Sequence, residues 1–126
     1  MKLNPDCIRD ILFCVEEKTD FSTMLVIMEY SIPDSLSQYS SNEVLYHIKQ
    51  AELSGLISVN SWYTDSGCSI KYLLPDGHTF LSNIREDTNW SKTKEIAASV
   101  GSHSLDVLKE IAATVVAGLI HASMGI

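Results

Sequence analysis

Apolar residues recur along this chain at two periods. Ile8, Ile11, Leu12 and Val15 repeat at helical spacing, while Arg9, Asp10, Glu16 and Glu17 lie mostly off their face. Asn4, Pro5 and Asp6 precede them as an N-cap, a first-turn proline and an acidic complement to the helix dipole, which predicts a helix running to about Lys18. The run from Met24 to Tyr30 is short, rich in β-formers and bounded by Pro33, so it reads as a strand. The Ser-rich stretch from Pro33 to Ser41 fits a helical turn and a loop equally well.

Ser40 followed by Glu43 has capping-box form and opens a second helix, from Ser41 or Asn42 to Ser54. Val44, Leu45, Ile48, Ala51 and Leu53 supply its buried side, and Glu43, His47, Lys49, Gln50 and Glu52 face outward. Gly55 stands where a helix takes a left-handed residue. Ile57 to Thr64 and Cys68 to Leu74 are β-type runs joined by Asp65, Ser66 and Gly67, a hairpin. Pro75, Asp76 and Gly77 open a further helix with Phe80, Leu81 and Ile84 on one face. Another spans Trp90 to about Val100. Ser102 or Ser104 caps the last, whose apolar stripe is Leu105, Leu108, Ile111, Ala112, Val115, Leu119 and Ile120.

This order gives an α+β fold, a winged helix with the hairpin as its wing and additional C-terminal helices. Residues 1–88 form the winged-helix domain, and residues 89–126 a helical extension that packs on it or on a second subunit. Helix–hairpin domains of this kind commonly read DNA, and composition changes that expectation. Apolar residues make up 45% of the 126 residues and the formal charge is −7, with a pI near 4.9. No third of the chain is net basic: residues 1–41 carry −4, residues 42–86 carry −2 and residues 87–126 carry −1. Such a field opposes phosphate binding, so DNA is disfavoured as a partner and a protein partner is favoured.

Three cysteines, Cys7, Cys14 and Cys68, show no CxxC and no accompanying histidine pair, so neither a metal site nor a disulfide framework is expected. They read as small buried apolar groups in a reducing cytoplasm. The N-terminus MKLNPDCIRD has no signal-type apolar run. From Ile111 to Ile126 there are 16 residues, including His121, fewer than the roughly 20 of a membrane span. Packing against the domain or a second copy is expected instead, and a homodimer through residues 104–124 follows from that surplus apolar surface.

The segments MKLNPDCIRDIL, EVLYHIKQAELSGLI and LLPDGHTFLSNIREDTNWSKTKE together resemble an uncharacterised family of small bacterial proteins common in phages and prophages, a domain of unknown function related to YjcQ-type winged-helix proteins. The middle segment also resembles MarR-like and PadR-like winged helices, with Pro75 where their pattern has threonine. The resemblance implies a fold and a phage or prophage setting. It carries over no activity, catalytic residue or cofactor.

The chemistry is correspondingly sparse. No nucleophile, base and orienting group stand at catalytic spacing, and no cofactor or metal site is expected, so the chain reads as non-enzymatic. His47, Lys49 and Gln50 on the second helix, with Tyr63 and Lys71 on the hairpin, are the candidate contacts to a nucleic acid or a protein. Trp62 and Tyr72 share the hairpin, where cross-strand packing explains them equally well. Trp90, Leu108, Ile111, Val115 and Leu119 are the candidate interface.

Overall fold

The helix and strand periods are realised in a computed structural model that describes residues 1–64 and 66–125. Asp65, expected in the hairpin turn, lies outside the described residues. The chain divides into two compact units, Met1–His78 and Thr79–Ile126, and the division falls inside a helix.

Helix α1 spans Pro5–Lys18. Asn4 Oδ1 accepts from the backbone N–H groups of Asp6 at 3.1 Å and Cys7 at 3.4 Å, so two orphan donors of the first turn are satisfied and Pro5 adds none. Cys7, Ile8, Ile11, Leu12, Cys14 and Val15 are buried. Strand β1, Leu25–Met28, is shorter than the apolar run implies. Met28 ends it by exchanging backbone hydrogen bonds with Ser31, at 3.4 Å and 2.9 Å. The undecided stretch contains one 3₁₀ turn, Asp34–Leu36, whose Leu36 is buried. It is tied to α1 by the Tyr39 hydroxyl, which donates to Asp10 Oδ2 at 2.6 Å.

Helix α2, Ser41–Leu53, starts as the capping pattern requires, with the Glu43 N–H donating to Ser40 Oγ at 3.1 Å. Its buried side is Val44, His47, Ile48 and Ala51, the positions one helical stripe demands. Two expectations are therefore corrected: His47 lies fully inside, and Leu53 is 70% exposed. Gly55 takes φ +73° beyond the helix end, a backbone open to glycine at little cost.

Strands β2, Ile57–Trp62, and β3, Gly67–Leu73, complete an antiparallel sheet of order β1-β3-β2. Leu25 faces Ile70 and Ile27 faces Cys68, four buried residues on the side that α1 covers. The β2–β3 register slips twice, between Ser58 and Val59 and between Val59 and Ser61, which leaves Lys71 and Asn60 without opposite partners. Helix α3, Pro75–Ile84, follows at once because the Leu74 N–H donates to the Leu56 carbonyl at 2.9 Å and Gly77 rests on that same carbonyl, where a Cβ would overlap it.

Helix α4 spans Asp87–Val100, beginning three residues before the predicted Trp90, and buries Trp90, Thr93 and Ala97. Helix α5 spans Leu105–Met124 and packs on α4. Ser104 Oγ caps it, accepting from the Val107 N–H at 3.3 Å. Its 20 residues make it long and apolar enough to cross a membrane by length and composition, although Asp106, Lys109 and Glu110 charge its first turns. Leu105, Leu108 and Ala112 are buried, whereas Leu119 is 52% and Ile120 51% exposed.

Candidate functional site

The candidate contacts separate into three environments. His47 is a structural member of the core: its Nε2 accepts from the Asn4 N–H at 2.7 Å, and its Nδ1 lies 2.7 Å from the Glu43 carbonyl. Because Nε2 must keep its lone pair, the proton sits on Nδ1 and is donated to Glu43. Both nitrogens are consumed in joining the N-cap of α1 to α2, so His47 is not a groove or partner contact. Gln50 is half-buried on the same helix.

Lys49 stays at the surface and is held. Its Nζ lies 3.0 Å from Glu52 Oε1 and 4.9 Å from the centroid of the Trp62 ring, and the Trp62 indole N–H donates to the same Glu52 oxygen at 3.1 Å. One carboxylate thus organises an ammonium and an indole from two elements. Tyr63, on the hairpin, is 39% exposed beside Trp62 in sequence. Its backbone N–H donates to the Gly67 carbonyl at 2.8 Å, and Thr64 beyond it takes φ +48°, a left-handed backbone unfavourable to a β-branched residue. Lys71 belongs to a different depression of about 210 Å³, lined with Asp20, Phe21, Ser22, Met24 and Tyr72.

Between α2 and the hairpin runs an open groove of about 310 Å³ lined by Asn42, Leu45, Tyr46, Trp62, Thr64 and Gly67. Asn42, Leu45, Tyr46 and Lys49 fall on one helical stripe, and Trp62, which lines the groove, is shared with the Lys49–Glu52–Trp62 cluster. Asn42, Tyr46 and the organising role of Glu52 do not emerge from residue type alone. The helical spacing of Asn42, Leu45, Tyr46 and Lys49 was the available signal.

The candidate interface divides in the same manner. Trp90 is 4% exposed, with Lys94 Nζ 5.4 Å from its ring centroid, and Leu108 is fully buried, so both are interior residues and not interface residues. The α4–α5 pairing consumes the early part of the apolar stripe. Ile111 and Val115 are half-buried, and Leu119 is the exposed member.

The three cysteines are free and buried. Burial, reinforced by Glu43 and Asp10, pushes the Cys7 thiol up to about 12, and burial with Glu52 pushes Cys68 to about 12. Cys14 is also raised, again chiefly by burial. They are thiols at neutral pH and poor nucleophiles. Among the described residues no group of three or more His, Cys, Asp or Glu side chains is arranged to hold a metal ion.

A family model described as a hypothetical protein, DUF2513, matches residues 2–104 and so stops one residue before α5 begins. The chain is also similar to an uncharacterised protein of Haemophilus influenzae, 31% identical over 123 residues that cover 95% of this chain and 99% of the relative. That coverage leaves room for only a few unmatched residues, so most of α5 has a counterpart there. No solved structure matches the chain.

Proposed function

The chain belongs to the DUF2513 family of hypothetical proteins, and from that premise we propose that it is a non-enzymatic winged-helix module that docks a protein partner on its α2–hairpin face. The order α1, β1, 3₁₀ turn, α2, β2, β3 with sheet order β1-β3-β2 supports the winged-helix reading, the 3₁₀ turn standing in for the usual second helix. The observation that carries the docking role is the groove itself: its lining is aromatic, aliphatic and amide, and its neighbouring cation is already bound to Glu52. Apolar and aromatic grooves of this type suit peptide and protein docking. A DNA-reading helix would instead present free cations to phosphates, and α2 carries a single lysine against Glu43 and Glu52. A phage or prophage accessory role rests on the sequence resemblance.

A photo-crosslinking residue at Tyr46, with a control probe at exposed Ser99, tests the reading in lysate of the source cell. One dominant protein adduct specific to position 46 is the expected result. Equal labelling from both positions, or salt-sensitive binding of duplex DNA in fluorescence anisotropy at low salt, would displace it. The outer half of α5, uncharged from Ile111 onward and exposed at Leu119 and Ile120, supports self-association as a second reading. Light scattering that gives the monomer mass at high micromolar concentration removes it.

A further inference from the structure

The cluster at the end of the groove has the composition of a cation receptor. A carboxylate, Glu52, is oriented by the Trp62 indole N–H, and the flat face of that indole lies beneath the charge that Glu52 attracts. The occupant is the chain's own Lys49, which is 48% exposed and whose ion pair is with Glu52 Oε1, three residues along the same helix. Exposed pairs at this spacing hold weakly. Among the described residues the contacts of Glu52 all fall on Oε1, so Oε2 remains to be offered.

We infer that this seat receives an arginine from an extended segment of the docking partner, the guanidinium replacing the Lys49 ammonium over Trp62 and engaging both Glu52 oxygens. The inference rests on the docking role proposed above and specifies its chemistry. Arginine suits the seat better than lysine: its planar fork matches a carboxylate through two parallel N–H bonds, and its face stacks on an indole. Charge favours such a partner over an acidic one, since the protein carries −7 overall and −2 across residues 42–86. The remainder of the groove sets the spacing. Asn42 and Lys49 are seven residues apart on α2, roughly 10 Å along the helix, or about three residues of extended chain. The matching segment therefore carries arginine and, about three residues away, an apolar side chain that enters at the Asn42 end of the groove.

The test uses the full chain and three hexapeptides: one with an arginine and a leucine three positions later, its lysine analogue, and its citrulline analogue, which keeps the shape and lacks the charge. Binding is followed by NMR through the Trp62 indole N–H resonance, with the remaining amide resonances reporting that each variant is folded. The arginine peptide is expected to shift that resonance saturably. The citrulline peptide should bind at least about tenfold more weakly, with lysine between them. Lys49→Ala removes the competitor and tightens the arginine peptide by about threefold, whereas Glu52→Gln abolishes its advantage over citrulline. Equal binding of arginine and citrulline peptides, no binding at all, no gain from Lys49→Ala, or a larger response of the same resonance to duplex DNA overturns the inference. If Tyr46 still crosslinks one protein when the arginine and citrulline peptides behave alike, the docking role stands and the arginine seat falls. If neither experiment responds, both fall.

Discussion

Helix α1 and the outer half of α5 both offer aliphatic side chains, yet those of α1 are interior and those of α5 reach the surface. In α1 the residues Arg9, Asp10, Glu16 and Glu17 interrupt the apolar set at the helical period and leave one face for burial, where Ile8, Ile11, Leu12 and Val15 are all fully enclosed. Beyond Ile111, α5 has no charged residue to distinguish a wet side from a dry one, and Leu119, Ile120 and Met124 are each more than half exposed. Apolar content alone therefore does not decide burial. A periodic contrast between apolar and charged positions does.

Substitutions in the two helices should separate them widely. Leu12→Ala is expected to cost about 3–4 kcal/mol in urea denaturation, through lost transfer energy and a cavity in the α1 face. A loss below about 1 kcal/mol would mean that α1 packs loosely, and the contrast with α5 would collapse. Gly77→Ala drives a Cβ into the Leu56 carbonyl and should cost about 2–3 kcal/mol, a backbone clash that side-chain rearrangement cannot relieve. His47→Ala leaves the Asn4 N–H without its acceptor and takes the imidazole N–H from the Glu43 carbonyl, for a loss of about 2 kcal/mol with the α1 N-terminus exchanging its amide hydrogens faster.

Alkaline pH tests the same interior more gently. The Cys7 and Cys68 thiols rise from 9.0 to about 12 in the folded chain. Above the unfolded value the unfolded chain releases protons that the folded chain retains, so stability is intact below about pH 9 and declines as pH climbs towards 12. Urea midpoints at pH 8 and pH 10.5 should show this decline, and Cys68→Ala should flatten it. The smallest effect belongs to α5: Leu119→Ala is expected to change stability by less than about 0.5 kcal/mol. A loss comparable to that of Leu12→Ala would show that this half of α5 is buried in solution.

The local features of the fold were legible because local chemistry specifies them. Asn4-Pro5-Asp6, Ser40 with Glu43, and Ser104 each mark a helix start that the structure contains. The placement of His47 required giving period more weight than residue type, since Val44, His47, Ile48 and Ala51 form one stripe and Leu53 does not join it. Pairing between β1 and β3 joins residues about forty positions apart, and the two slips opposite Lys71 and Asn60 depend on how the hairpin fits its neighbours. No short window of sequence records either. The groove was half legible, because its α2 side is a helical repeat while its Trp62 side is fixed only once β2 lies against α2.

The tight turn at Met28 limits how this protein can meet others. Along β1 the outward backbone groups alternate, and those of Met28 are already spent on Ser31, which among the described residues leaves Val26 as the pairing position within the strand. An incoming strand would gain too few ladder bonds there to hold, so this flank does not nucleate growth of the sheet from one copy to the next. The chain supplies its own stopper, so a contact on this flank would have to rest on side chains rather than on an added strand.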